Sequence, residues 1–152
     1  MKFAVDLHIH SALSPCGDED MTPNNIVNMA VIKSLDVIAV TDHNSCKNLP
    51  AIMEVATRKG IMVIPGMEVQ TKEEVHIVCL FKELKQAMKF DEIVYNCLPT
   101  ILNNEDTFGK QLIMDSEDRV IGKEEKLLLS SCALSVDDVF IIARGLGGIC
   151  IP

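Results

Sequence analysis

The chain has 152 residues, 48% of them hydrophobic and 24% charged, with a formal net charge of −8. Length and composition predict one globular domain with a real core. The acidic balance and the lack of clustered Lys and Arg argue against a phosphate-backbone partner, so no nucleic acid is expected. No apolar run is long enough to span a membrane and no signal segment precedes the first strand pattern, so a cytoplasmic protein is expected.

The first ten residues read as a strand ending in Asp6-Leu7-His8-Ile9-His10. Side chains alternate across a strand. Asp6, His8 and His10 therefore share one face, and two imidazoles one pleat apart can converge on a cation. Two of the chain's four histidines fall in this tripeptide.

A loop rich in turn formers follows, from Ser11 to Asp20. Its acids Asp18, Glu19 and Asp20 read either as charge placed ahead of a helix N-terminus or as a source of one carboxylate that folds back to His8 and His10. Thr22-Pro23 predicts a helix start, with Thr22 as cap. Leu35 to Val40 reads as a strand buried on both faces, as in a parallel sheet. Thr41-Asp42-His43-Asn44 follows at once, so a second strand also ends in Asp and His. Asp42 and His43 could be a helix cap and a surface residue. Their place at a strand's carboxyl end, where α/β folds collect ligand groups, favours function.

A helix is predicted over Leu49 to Lys59, closed by Gly60. A third strand, Ile61 to Ile64, leads to Pro65-Gly66-Met67-Glu68. This strand–helix alternation predicts crossover units and a parallel sheet. Val75 to Phe81 reads as a further strand, a candidate hairpin partner of the preceding one, and carries His76. Glu83 to Leu98 reads as a helix ended by Pro99. Gln111–Met114 and Arg119–Gly122 read as a small hairpin without site chemistry, an insertion or an edge. Ser135 with Asp138 predicts a capped helix to about Arg144. Ile149 to Pro152 reads as the start of another strand.

The six cysteines form no Cys-x-x-Cys pair, which argues against a zinc ribbon or a disulfide framework. Cys16 stands apart because it follows His10 closely. The candidate metal ligands are His8, His10, one acid of Asp18 to Asp20, His43, Glu68 and His76. Each lies at or just beyond the end of a predicted strand. Mixed imidazole and carboxylate ligation suits Zn, Mn or Fe, and more than one ion.

These pieces together resemble the polymerase-and-histidinol-phosphatase (PHP) superfamily of metal-dependent phosphoesterases. The matching segments are Asp6-Leu7-His8-Ile9-His10-Ser11, Val40-Thr41-Asp42-His43-Asn44, Pro65-Gly66-Met67-Glu68-Val69 and His76, with Ser14-Pro15-Cys16-Gly17 and Met21-Thr22-Pro23. The resemblance implies a distorted (β/α)7 TIM-like barrel with two or three divalent ions at its C-terminal mouth. It implies His8, His10, His43, Glu68 and His76 as ligands. The family's first motif continues to an acid or histidine near Pro15, which cannot ligate, so Asp18 is taken as the substitute, with Asp20 as the other choice. Gly147 to Pro152 resembles the strand leading into an Ala-His motif, and further ligands would lie beyond Pro152. Residues 1–152 thus read as the N-terminal portion of a PHP domain, a barrel incomplete in this chain. Open sheet edges of such a barrel predict self-association.

The implied activity is hydrolysis of a small phosphomonoester, such as a nucleotide or sugar phosphate, through a metal-activated hydroxide. The alternative is a non-catalytic metal-binding fragment, or a barrel module that needs a partner chain. A weaker option is an amidohydrolase, whose barrels also open with a strand-borne His-x-His, but no candidate metal-bridging Lys is evident.

Overall fold

In the computed structural model, residues 2–152 are described; Met1, at the start of the expected first strand, lies outside them. The N-terminal half follows the predicted alternation: β1 (Val5–Ile9), α1 (Pro23–Ile32), β2 (Val37–Val40), α2 (Leu49–Lys59) and β3 (Met62–Val63). The three strands form one parallel sheet in the order β1-β2-β3, with Val5 opposite Val37 and Ile38 opposite Val63. All four residues of β2 are buried, as expected for a central parallel strand.

Local sequence sets the helix ends. The Thr22 hydroxyl accepts from the Asn25 amide, and Pro23 occupies the first turn of α1. Gly60 ends α2 in the left-handed conformation, at φ 74°. Ile26, Val27, Ile52 and Val55 turn inward to a core that includes Leu13, Ile38, Met67, Ile77 and Phe90. Truncating a fully buried residue such as Ile52 costs about 2–5 kcal/mol.

The alternation then stops. β4 (Gly66–Gln70) and β5 (His76–Leu80) are joined by a short polar turn, so they pair antiparallel, with Gln70 opposite His76. A link this short cannot make a parallel crossover. After α3 (Leu84–Cys97) and the single turn α4 (Glu105–Phe108), β6 (Leu112–Met114) and β7 (Val120–Lys123) form a separate two-stranded sheet. α5 (Val136–Gly145) carries the expected Ser135–Asp138 capping box, and β8 (Ile149–Ile151) pairs antiparallel with β5. The expected (β/α)7 cylinder is therefore not closed among the described residues; the α/β chain carries three sheets.

The first two sheets meet at one seam. His43 bridges to Glu68 in parallel sense. The Glu68 amide donates to the Asp42 carbonyl at 3.1 Å, and the Asn44 amide donates to the Glu68 carbonyl at 2.9 Å. Gly66 permits this approach, because a Cβ there would lie 2.7 Å from Leu80 Cδ2 and 2.9 Å from Thr41 Cγ2. Among the described residues no helix is long and apolar enough to cross a membrane.

Candidate metal centre

The seam is where the histidines gather. β1 delivers His8 and His10, the end of β2 delivers His43, β4 delivers Glu68 and β5 delivers His76. Glu68 sits at their middle. Its Oε2 lies 3.1 Å from His8 Nε2, 3.0 Å from His10 Nε2 and 3.3 Å from His43 Nδ1; its Oε1 lies 2.9 Å from His76 Nδ1. The two Nε2 atoms of His8 and His10 are 3.1 Å apart. Five candidate ligands from four strands thus converge.

The centre has an inner and an outer part. His43 and Glu68 are buried, at 7% and 5% exposure, whereas the His8 side chain is 50% exposed and that of His76 is 43% exposed. Burial drives the His43 pKa down to about 4, against the attraction of Glu68 and helped by the neighbouring imidazoles. Burial pushes the Glu68 carboxyl up, but hydrogen bonds from His10, His8 and His76 and the charge of His43 outweigh it and hold the pKa at about 2. At neutral pH the inner pair is therefore a carboxylate beside a neutral imidazole. That is the protonation state a metal requires of both.

One atom lacks a partner. His43 Nδ1 is buried and near Glu68, yet makes no hydrogen bond among the described residues. Proximity without hydrogen-bond alignment leaves this nitrogen unsatisfied, which is costly inside a protein. A cation shared with Glu68 would satisfy it. The residues fit such an ion: the trios His8–His10–Glu68 and His43–Glu68–His76 each bring one ligand atom per residue within 4.8 Å of the others.

Behind the ligands lies a buried polar layer. Asp42 caps no helix. Its carboxylate accepts from the Ser11 amide at 2.7 Å, the Ser11 hydroxyl at 2.6 Å and the Ser14 hydroxyl at 2.7 Å. Burial raises the Asp42 carboxyl, while the hydrogen bonds from Ser11 and Ser14 and the charge of His10 lower it. With the Ser14 proton committed to Asp42, its oxygen accepts from the His43 amide at 3.1 Å and faces His10 Nδ1 at 3.1 Å. That arrangement places the His10 proton on Nδ1 and leaves Nε2 free for a cation. Asn48 donates to the Ser11 hydroxyl at 3.0 Å and clamps the hairpin, donating to the Leu112 carbonyl and accepting from the Met114 amide. The β6–β7 hairpin, read from sequence as an insertion or edge, thus braces the ligand loops while supplying no ligand.

Asn44 completes the layer. It holds φ at 50°, a left-handed conformation that asparagine tolerates. Its amide donates to the Leu128 and Ser130 carbonyls and accepts from the Gln70 amide. The chain can therefore turn sharply after His43 without freeing a buried polar group.

Asp18 is not brought to the centre. It is exposed, and its carboxylate accepts from the Asp20 amide at 2.9 Å. Asp20 is exposed too, and Glu19 pairs with Lys110. The loop brings the exposed Cys16 to the edge of the centre instead, with Sγ 3.6 Å from His10 Nδ1. Burial raises the Cys16 thiol pKa against a backbone hydrogen bond, and Asp42 and Glu68 add to the rise. Residues the sequence reading left without a site role are Ser11, Ser14, Asn44 and Asn48. The two serines just after His10 and the two asparagines just after His43 were the available signal.

An open cleft of about 490 Å³ reaches the centre between β1 and the β5–β8 pair, lined by His8, Glu68 and His76 with Val5, Val78 and Ile151. A second groove of similar volume runs along α1 past Met29 and Ile32 and holds none of the ligands.

The chain is 38% identical over 80 residues to the 5'-3' exoribonuclease Rnm of Salmonella typhimurium, covering 49% of this chain and 26% of that protein. It is 34% identical over 79 residues to a 3',5'-nucleoside bisphosphate phosphatase of Chromobacterium violaceum, covering 50% and 27%. The chain thus spans about a quarter of the length of these curated relatives. Among solved structures, the lesion-specific endonuclease PfuEndoQ of Pyrococcus furiosus shares the fold, with a TM-score of 0.66 at 22% identity over 99% of this chain and 34% of that one. The model of the PHP domain matches residues 6–129, a span holding every candidate ligand named above, and on that match the chain belongs to the PHP family.

Proposed function

We propose that this chain carries the metal centre of a metal-dependent phosphoesterase that hydrolyses small phosphomonoesters. The observation that carries the reading is the convergence of four histidines on Glu68, with the buried His43 Nδ1 unpartnered. The ligands are His8, His10, His43, Glu68 and His76, and their donor set suits Zn, Mn or Fe. Bound ions would supply Lewis acidity toward a phosphoryl oxygen and a water deprotonated near neutral pH.

The chain's own residues do the rest. Glu68 and His43 hold the protonation states that binding needs. Asp42, through Ser14, orients His10. The half-exposed His8 and His76 stand at the mouth of the cleft, where a phosphate ester would enter. The cleft's volume falls in the range of small-ligand sites.

The named activities of the relatives favour a second substrate. One is a nucleoside bisphosphate phosphatase, but another is an exoribonuclease, and the endonuclease shares the fold. A nucleic-acid end is therefore a substrate to test, although the net charge of −8 opposes long polyanions away from the metals. Exposed apolar residues flank two open sheet edges, Phe3 and Val5 by β1 and Ile149 and Ile151 in β8, and they support pairing with a further chain.

The test is metal-loaded protein assayed on a nucleoside 3',5'-bisphosphate, a sugar phosphate and a 5'-phosphorylated oligoribonucleotide. Phosphate release from the first two, lost with His8→Ala and His10→Ala, supports the proposal. Turnover of the oligoribonucleotide alone favours the second substrate. Metal retention without turnover of any favours the non-catalytic reading.

A further inference from the structure

One thiol faces the centre and has no part in the function just proposed. Of the six cysteines, Cys46, Cys79 and Cys132 are buried and Cys97 and Cys150 half-buried; Cys16 is exposed. The loop that carries it is tightly wound. The Ser14 amide donates to the Ser11 carbonyl at 3.1 Å, and the Gly17 amide donates to the Ser14 carbonyl at 2.8 Å. A Cβ at Gly17 would stand 2.4 Å from the Ser11 carbonyl oxygen, so a glycine is required for the loop to close this far. Closure brings Cys16 Sγ to 3.6 Å from His10 Nδ1.

The thiol has company of a particular kind. One ligand atom from each of His10, Cys16 and His43 lies within 4.8 Å of the other two, a third trio beside the two that contain Glu68. His43 is the residue that makes this more than a surface contact. It is 7% exposed, its amide is pinned by Ser14, and its ring carries the buried nitrogen without a hydrogen bond among the described residues. A neutral imidazole offers one lone pair, so an ion beside Cys16 would take that of His43, with His10 reaching it through the Nε2 that Ser14 leaves free.

We propose that Cys16 binds, as a thiolate, a divalent ion held together with His10 and His43, and that this sulfur biases the centre toward thiophilic ions, zinc above all, over manganese and magnesium. The proposal rests on the metal-dependent reading above. Soft thiolate selects zinc, whereas oxygen ligands alone suit magnesium and manganese. In binding, the sulfur–proton bond breaks, the sulfur–metal bond forms and one proton passes to solvent. Three protein ligands leave room for a water or a substrate oxygen, as zinc sites that perform chemistry do.

The test is titration of the metal-free 152-residue protein with cobalt(II), read by absorption. Visible d–d bands report any bound ion; a near-ultraviolet sulfur-to-cobalt charge-transfer band reports a thiolate ligand. Both bands are expected for the native sequence. In Cys16→Ser the charge-transfer band disappears while d–d bands persist, which also shows that the variant folds. Cys16→Asp should lower the preference for zinc over manganese on the order of tenfold or more. Cobalt bound without charge transfer, or charge transfer that survives Cys16→Ser, overturns the thiolate and leaves the metal centre standing. No cobalt bands at all overturns both.

Discussion

The two sides of the metal centre are built differently. His43 and Glu68 sit in the seam between two sheets, backed by Asp42, Ser11, Ser14, Asn44 and Asn48, all of them buried. His8 and His76 stand half in solvent at the mouth of the cleft, with Glu68 as their nearest partner. The inner side spends folding energy to fix geometry before any ion arrives. The outer side is held by little besides Glu68, so it is free to meet an ion and a substrate. The difference predicts that substitutions behind the centre act first on stability, and substitutions at its mouth act first on metal retention.

The largest stability effect should come from Asp42→Ala. It strips three buried donors of their acceptor and should destabilise by about 3 kcal/mol in a denaturant titration. Asp42→Asn, which keeps an acceptor oxygen, should lose less. A smaller effect should appear on acidifying the metal-free protein. His43 titrates near 4 in the folded state, below the 6.5 of a free imidazole. Between those values the unfolded chain binds the extra proton, so stability is full above that window and falls as pH drops through it, by at most about 1.4 kcal/mol per pH unit. Thermal midpoints of wild type and His43→Gln across that range check the sign, since the variant should lack this component.

Next comes Ser14→Ala. It breaks the link from Asp42 to His10 and frees the His43 amide, at about 1 kcal/mol in stability. Because it also releases the His10 tautomer, metal affinity should drop about 10–100-fold, measured by competition with a chromophoric chelator. The smallest stability change belongs to His8→Ala, within about 0.5 kcal/mol because the side chain is half exposed. Its metal content should nevertheless fall. A large loss of stability there would erase the contrast between the two sides.

What the sequence made legible follows the same division. The candidate ligands His8, His10, His43, Glu68 and His76 could be read because each sits on or just beyond a short strand, where period-two alternation and strand ends are visible locally. The parallel β1-β2-β3 sheet was legible for the same reason. The supporting layer was not. Asp42 reads as a functional strand-end acid, but its role as acceptor appears only when Ser11 and Ser14 are folded over it, a contact across some thirty residues. Asn48 meets the hairpin at Leu112 across a longer span still. Asp18 was drawn in by its charge and its nearness to His10, but the two turns from Ser11 to Gly17 face Cys16 toward the centre and leave Asp18 in solvent. The barrel expectation came from the family resemblance; the alternation of the N-terminal half predicted only a parallel sheet, and the five-residue link between β4 and β5 ends it.

The most direct test of the account is metal content per chain, by elemental mass spectrometry, of the native protein and of Glu68→Gln. Glu68 touches all four histidines, and Gln keeps its size while removing its charge. The account predicts stoichiometric transition metal in the native protein and almost none in the folded variant. Native protein free of metal after growth and dialysis with zinc or manganese, or a variant that keeps its full metal content, would contradict it.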